Sequence, residues 1–215
     1  MRAAEAAKTA KAATVLLATF AAPAALAAQA SLQLSLGARY TSTIVHDSIV
    51  GPFDVRPSLA PDLAVSATTP LESPWSAGAT LDFSWSRLER HDADGTTADL
   101  GGLGTLALTV ELIRRFPFGL DVAAAIGGLK YLPGSESGIF AQGTGGVMPL
   151  GALGLTYAPP FGARHGLALR ARYDMHRFLT PALRNEGFAS GHLVQRVALG
   201  VRWSFGGARE VEARP

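Results

Sequence analysis

Apolar residues recur at every second position in eight stretches of the chain, and the stretches are separated by clusters of turn-forming residues. The stretches cover approximately residues 31–42, 61–69, 77–88, 102–113, 118–131, 147–157, 165–178 and 194–205. A period of two is typical of a β-strand with one apolar face, and the helical period of 3.6 fits none of the stretches as well. The pattern therefore predicts an all-β chain of eight strands.

The connections between these strands alternate in length. Long polar connections cover residues 42–60, 89–101, 132–146 and 179–192, whereas the short ones cover residues 70–76, 114–117 and 158–165. An up-and-down meander places its long loops at one end and its tight turns at the other. This alternation predicts an antiparallel up-and-down barrel and argues against a sandwich with crossover connections.

The composition of the two strand faces predicts which one points inward. One face is almost continuously apolar, as at Leu81, Phe83 and Trp85, and the other carries Gly, Ala, Ser, Thr and isolated charges. A soluble barrel needs a charged exterior, yet the sequence holds only Lys8, Lys11 and Lys130 as lysines. Small and charged residues suit a narrow lumen, so we predict an eight-stranded up-and-down antiparallel transmembrane β-barrel with its apolar face toward lipid. A soluble secreted lipocalin-like binding barrel is the alternative with the opposite orientation.

Charged residues of the lumen-facing parity form a candidate network. The set contains five arginines, five acidic residues and one histidine. The residues are Arg39, Asp62, Asp82, Glu111, Asp121, Arg170, Arg172, Asp174, His176, Arg196 and Arg202. A buried charge requires a hydrogen-bonded partner, and the planar guanidinium can bind two carboxylates. Because eight strands enclose a space that side chains fill, the sequence predicts a plugged polar lumen without a solute pore.

Aromatic residues are placed as two belts at the membrane interfaces would be. Those near the short turns are Trp75, Phe116, Phe118, Phe161, Trp203 and Phe205. Those near the long loops are Tyr40, Trp85, Tyr131, Tyr173 and Phe178. We expect all of them to point outward.

The first thirty residues predict a secretory signal peptide. A basic start, MRAAEAAKTAK, precedes the short apolar run AATVLLATFAAPAALA, and small residues offer cleavage near Ala27 or Ala30. The predicted organisation is a signal peptide at 1–30, a barrel at 31–206 and a periplasmic tail at 207–215. The formal net charge is +2, and removal of residues 1–27 leaves a formally neutral chain, so charge gives no reason to expect a nucleic-acid partner.

Over residues 31–206 the pattern resembles the small eight-stranded outer-membrane barrels of Gram-negative bacteria, of the OmpA transmembrane-domain or OmpX type. The stretch VALGVRWSF, with Val201, Trp203 and Phe205 at alternate positions, resembles the C-terminal signal read by the outer-membrane assembly machinery. It departs from that pattern because GGAREVEARP follows Phe205. The resemblance implies a monomer in the bacterial outer membrane, in contact with outer-membrane lipid and lipopolysaccharide. The long loops would face outward and the short turns would face the periplasm.

Catalytic and metal-binding interpretations are weaker. A lipid-A-modifying hydrolase would use His176 as base, Asp174 as its orienting partner, and Ser84 or Ser86 as nucleophile, although all four have lumen parity. The run HDADG, from His91 to Gly95, and the pair His46 and Asp47 suggest metal ligands, but no terminal Glu completes a calcium loop. We therefore predict no catalytic residue, metal or cofactor. The predicted role is structural, or a surface interaction through the outer loops.

Overall fold

The structure is a computed structural model that describes residues 30–47, 52–135, 138–163, 165–187 and 191–205. The described residues form the strands β1 (Ser31–Thr41), β2 (Val45–Asp47), β3 (Phe53–Pro57), β4 (Ala60–Pro70), β5 (Trp75–Asp92), β6 (Thr97–Phe116), β7 (Leu120–Pro133), β8 (Met148–Tyr157), β9 (Leu167–Phe178) and β10 (His192–Phe205). Two short helices, α1 (Pro160–Ala163) and α2 (Pro181–Asn185), and two single 3-10 turns lie in the connections. In this part of the chain no helix has the length and apolar character needed to span a membrane.

Eight long antiparallel strands close into a ring. Each long strand pairs with its sequence neighbour from β4 to β10, and β1 pairs with both β4 and β10. At the closing seam Gly37 lies opposite Gly200, and a Cβ atom on Gly37 would lie 2.1 Å from the carbonyl oxygen of Leu199. Glycine is thus required at this point of the seam between β1 and β10. The predicted eight-stranded up-and-down barrel is confirmed.

The long-loop end contains more strand structure than the sequence predicts. The connection expected over residues 89–101 is largely a hairpin, because β5 continues to Asp92 and β6 begins at Thr97. In the first long connection, β2 pairs with β3, and β3 pairs with the upper part of β5. The upper part of the β5–β6 hairpin is largely polar on both faces, so backbone pairing continues there without the alternation of apolar and polar residues that identifies a strand in sequence. Strands β2 and β3 are too short to show a clear alternation, and their Val45 and Val55 are buried.

The exposure of side chains settles which face of the strands points outward. The apolar parity is exposed on the barrel exterior, with Ile126 70%, Leu199 61% and Leu153 56% accessible. The polar parity is buried, as at Asp82, which is 1% accessible. The soluble lipocalin-like alternative requires the reverse arrangement and is wrong. The exterior matches the lipid-facing surface of a transmembrane barrel.

Candidate functional site in the barrel interior

Arg39 is the centre of the charged interior. It projects from β1, is 1% accessible, and donates hydrogen bonds to carboxylates on three other strands. The distances are 2.7 Å to Asp62, 2.6 Å to Asp174 and 2.5 Å to Asp82. A single guanidinium therefore joins β1, β4, β5 and β9 across the lumen, which its planar arrangement of donors makes possible.

Arg172 forms a second centre beside Arg39. It donates to Asp174 on its own strand and to Glu111 on β6, both at 2.6 Å, and to the hydroxyl of Thr109 at 3.1 Å. Asp174 is shared by Arg39 and Arg172, so the two centres form one connected network. Charge-assisted hydrogen bonds of this length are the stronger class, and they fix the strands relative to one another.

The remaining arginines are buried with looser contacts. Arg196 is 0% accessible and donates to Thr105 at 3.1 Å, while its nearest carboxylate, that of Asp82, is 3.8 Å away. Arg170 lies 3.7 Å from Asp62 and 3.9 Å from Asp82. Arg202 is 9% accessible, and its Nε atom has no hydrogen-bond partner within the described residues. All five predicted arginines therefore lie inside the barrel, but only Arg39 and Arg172 form short hydrogen bonds to carboxylates.

Asp121 departs from the expected network. It lies near the short turns and is only partly buried, and its carboxylate is 3.6 Å from the guanidinium of Arg115, a residue outside the predicted set. The acidic residues buried below one tenth accessibility are the other four: Asp62, Asp82, Glu111 and Asp174. Thr105 and Thr109 accept hydrogen bonds from Arg196 and Arg172. The sequence does not predict this role, because an uncharged hydroxyl does not stand out among the other small residues of the inward face.

An apolar layer fills the lumen above the charges, at the long-loop end, where the sequence predicts polar filling. It combines inward strand residues with residues of the loops that fold over the opening. Its members include Ile44, Val45, Val55, Leu88, Leu103, Leu129, Tyr131, Phe140, Met148, Leu150, Phe178, Leu183 and Val194. The loops are joined above this layer, since Thr180 caps α2 and donates to the carbonyl oxygen of Ile139 at 2.7 Å.

Tyr131 and Phe178 are inside the barrel, which corrects their expected place in an aromatic belt. Each is 1% accessible, and their rings meet edge to face with centroids 5.1 Å apart. The Tyr131 hydroxyl shares a hydrogen bond of 2.8 Å with His176 Nε2. Tyr131 thus links the apolar layer to the charged layer. Tyr40, Trp75, Trp85 and Phe205 do lie exposed on the exterior.

The arrangement required for a hydrolase is not formed by the described residues. Ser84 is hydrogen-bonded to Thr105 at 2.7 Å, and Ser86 donates to the carbonyl oxygen of Leu103 at 3.2 Å. Among the described residues, His176 is hydrogen-bonded to Tyr131 through Nε2, and its Nδ1 atom has no partner. Neither serine is therefore activated by the histidine.

The loop carboxylates and histidines are occupied by neighbouring protein groups. Asp94 accepts from the backbone amide of Thr96 at 2.9 Å, Asp92 pairs with Arg90 at 2.8 Å, and His46 contacts Asp54 at 2.6 Å. The hydrogen bonds from Thr96 lower the pKa of Asp94. Within the described ranges no group of three potential metal ligands occurs.

The residues compared with an assembly signal lie on β10 next to the closing seam. Val201, Trp203 and Phe205 are paired with Leu36, Leu34 and Leu32 of β1. All three have the outward parity, and Phe205 is 53% accessible. The predicted signal peptide and the tail at 207–215 lie outside the described residues, apart from Ala30.

The closed ring of eight strands, the apolar exterior and the charged interior define a transmembrane β-barrel of the kind found in bacterial outer membranes. No family model and no curated protein matches the sequence. Among solved structures, the chain is similar to Ail, the attachment invasion locus protein of Yersinia pestis, in complex with the heparin analogue sucrose octasulfate. The identity is 13% over 82% of this chain and 99% of that chain, with a TM-score of 0.49.

Two further similar structures have the same character. The outer membrane protein OprG from Pseudomonas aeruginosa is 11% identical over 82% of this chain and 96% of that chain, with a TM-score of 0.44. Neisserial surface protein A is 11% identical over 82% of this chain and 97% of that chain, also with a TM-score of 0.44. All three scores are below 0.5, so the fold assignment rests on the geometry of the barrel itself.

Proposed function

We propose that this protein is a bacterial outer-membrane barrel that is closed to solutes and acts through its outer loops. The observation that carries the proposal is the succession of two buried layers across the lumen. The ion-paired layer around Arg39 and Arg172 is followed by the apolar layer that includes Leu103, Leu129 and Phe178. A hydrated ion moving through the barrel would have to break both layers.

The orientation follows from the resemblance to small outer-membrane barrels. The short turns would face the periplasm, and the extended β5–β6 hairpin would face the cell exterior. Lys130 is exposed on the barrel wall toward the loop end, where its ammonium group can meet lipopolysaccharide phosphates. Val201, Trp203 and Phe205 would serve as the assembly signal. We propose a monomer, because the strands close the barrel within one chain.

The outer part of the sheet offers a surface for interaction. The upper parts of β5 and β6 rise above the barrel, and β3 and β2 add to the edge of β5. The surface is polar and of mixed charge, with Arg87 and Asp99 forming an exposed ion pair of 2.9 Å. Exposed ion pairs contribute little to stability, so these residues remain available to contact a partner.

Conductance recordings in a planar lipid bilayer test whether ions can pass through the lumen. The refolded barrel, inserted into a planar lipid bilayer, should add no steady single-channel current, whereas a porin inserted in the same bilayer gives a positive control. Insertion would be verified by the heat-dependent gel shift of the recovered protein. Regular conductance steps that scale with salt concentration would show an open lumen and refute the proposal.

Cysteine labelling tests which end of the barrel faces the cell exterior. The chain contains no cysteine of its own, so a single introduced thiol is the only site that can be labelled. Thr96→Cys places a thiol in the turn of the β5–β6 hairpin, and Glu72→Cys places one in the short turn between β4 and β5. On intact cells a membrane-impermeant maleimide should label the first variant and spare the second. Labelling of the second variant alone would reverse the orientation and remove the basis for a surface role.

A further inference from the structure

Arg114 is a positive charge on the lipid-facing side of the barrel wall. It lies on β6 with the same parity as Val110 and Leu112, which are 58% and 48% accessible, and its own side chain is exposed. It is two residues from the end of β6 at Phe116, next to a short turn. A lipid-facing arginine is costly at the middle of a membrane and is tolerated near its boundary. Arg114 therefore lies where the headgroups of lipids meet the barrel.

The described part of the chain supplies no counter-charge for Arg114. Its outward-facing neighbours, along β6 and directly opposite on β5 and β7, are the apolar residues Leu112, Phe116, Trp75 and Val122. Among the described residues, its guanidinium takes part in no hydrogen bond or ion pair. The next arginine, Arg115, has the opposite parity and lies 3.6 Å from the carboxylate of Asp121. The charge of Arg115 is thus compensated by a described residue, whereas that of Arg114 is not.

Two aromatic rings hold the guanidinium of Arg114 in place. Its central carbon lies 5.5 Å from the centroid of the Trp75 ring and 4.9 Å from that of the Phe116 ring, both within the range of a cation–π contact. Such contacts attract the charge but do not use its N–H donors, which require an acceptor. The indole N–H of Trp75, which is 39% accessible, also has no acceptor among the described residues. Free donors of two residues thus lie side by side at the membrane boundary.

We propose that Arg114 and Trp75 bind the phosphate group of an anionic phospholipid such as phosphatidylglycerol. The phosphate accepts charge-assisted hydrogen bonds from the guanidinium, and its negative charge compensates that of Arg114. The acyl chains of the same lipid extend along the apolar wall at Leu112 and Val110. A zwitterionic headgroup fits less well, because its own cation competes with Arg114 for the phosphate. The periplasmic leaflet supplies the lipid, and this part of the proposal rests on the orientation proposed above.

Quenching of tryptophan fluorescence by brominated lipids measures this contact in a bilayer. Trp75 is one of three tryptophans in the chain, so the double substitution Trp85→Phe and Trp203→Phe leaves Trp75 as the reporter. In phosphatidylcholine vesicles, brominated phosphatidylglycerol should quench Trp75 more strongly than brominated phosphatidylcholine does at the same mole fraction. The attraction of one arginine for an anionic lipid at a membrane surface corresponds to an enrichment of about fivefold beside Trp75. The heat-dependent gel shift verifies that the reporter protein is folded.

Two matched substitutions in the reporter protein make the test specific to Arg114. Arg114→Gln removes the exposed charge next to Trp75 and should abolish the preference, so that both brominated lipids quench equally. Arg115→Gln removes one charge at the adjacent position, where Asp121 already compensates it, and should keep the preference. Both variants lower the net charge by the same amount, so a general attraction between the protein and anionic lipid cannot separate them. Replacing chloride by inorganic phosphate at constant ionic strength should leave the preference unchanged.

Three results would overturn the proposal. The reporter protein could be quenched equally by the two brominated lipids, or Arg114→Gln and Arg115→Gln could show the same preference. Inorganic phosphate could abolish the preference, which would assign the site to the free ion and not to a lipid. The vesicles carry the same lipids in both leaflets, so an inverted barrel leaves the quenching unchanged. Failure of the lipid site is therefore distinguishable from failure of the proposed orientation or of the closed lumen, which labelling and conductance test.

Discussion

Replacing Arg39 with methionine removes the central donor of the charged layer while keeping a side chain of similar length. The change breaks hydrogen bonds to Asp62, Asp82 and Asp174, at 2.7, 2.5 and 2.6 Å. Removing one partner of a buried ion pair generally costs about 3 to 5 kcal/mol.

The expected loss of stability in Arg39→Met depends on which arginine partners the three carboxylates retain. Asp174 retains Arg172 at 2.6 Å, whereas Asp62 retains Arg170 only at 3.7 Å and Asp82 retains Arg196 only at 3.8 Å. These neighbours can take over part of the charge compensation but not the hydrogen bonds in their present positions. We therefore expect a loss at the low end of the range, about 3 kcal/mol of unfolding free energy.

The assay is reversible urea unfolding in lipid vesicles, followed by tryptophan fluorescence. Arg177→Met is the matched control, because Arg177 lies on the exposed face of β9 and should change stability by no more than about 0.5 kcal/mol. Arg170→Met should cost less than Arg39→Met, since Arg170 is 3.7 Å from its nearest carboxylate. A loss below about 1 kcal/mol for Arg39→Met, or one equal to that of the control, would refute a stabilising role for the network.

Two further substitutions test other parts of the interior and the seam. Tyr131→Phe removes the hydroxyl bonded to His176 at 2.8 Å and leaves a buried imidazole without a partner, so urea unfolding should show a loss of about 1 to 3 kcal/mol; an unchanged midpoint would contradict this. Gly37→Ala places a Cβ atom 2.1 Å from a backbone oxygen and should reduce the yield of refolded barrel on gels, whereas Gly151→Ala, whose Cβ would lie 3.8 Å from Met175, should refold like the wild type. Equal yields for the two variants would show that the seam tolerates a side chain.

The alternation of residue types predicts most of the barrel. Leu81, Phe83 and Asp82 show why, because the side chains of neighbouring strand residues point to opposite faces and the two faces meet different surroundings. The same parity places Arg39, Arg172 and the buried carboxylates inside. Which arginine meets which carboxylate was not predictable, because cross-lumen distances depend on strand stagger and tilt.

Parity and side-chain chemistry disagree for the aromatic members of the apolar layer, because their chemistry favours a membrane belt and their parity favours the interior. Tyr131 has the same parity as Asp121, and Phe178 has the same parity as Arg170, so the period of two already places both inside. Loop members such as Ile44 and Phe140 carry no such signal, since they come from connections without periodicity. The upper part of the β5–β6 hairpin also lacks a periodic signal, because both of its faces are largely polar.

A spin-label scan along β6 in lipid vesicles, using single cysteines at positions 105 to 110 of this cysteine-free chain, tests most directly whether the barrel is closed. Labels at Leu106, Leu108 and Val110 should collide with oxygen dissolved in the lipid. Labels at Thr105, Ala107 and Thr109, which are 6%, 2% and 1% accessible, should be shielded from both oxygen and a water-soluble nickel chelate. Strong relaxation of the second set by the nickel chelate would reveal a water-filled lumen and contradict the central claim of a closed barrel.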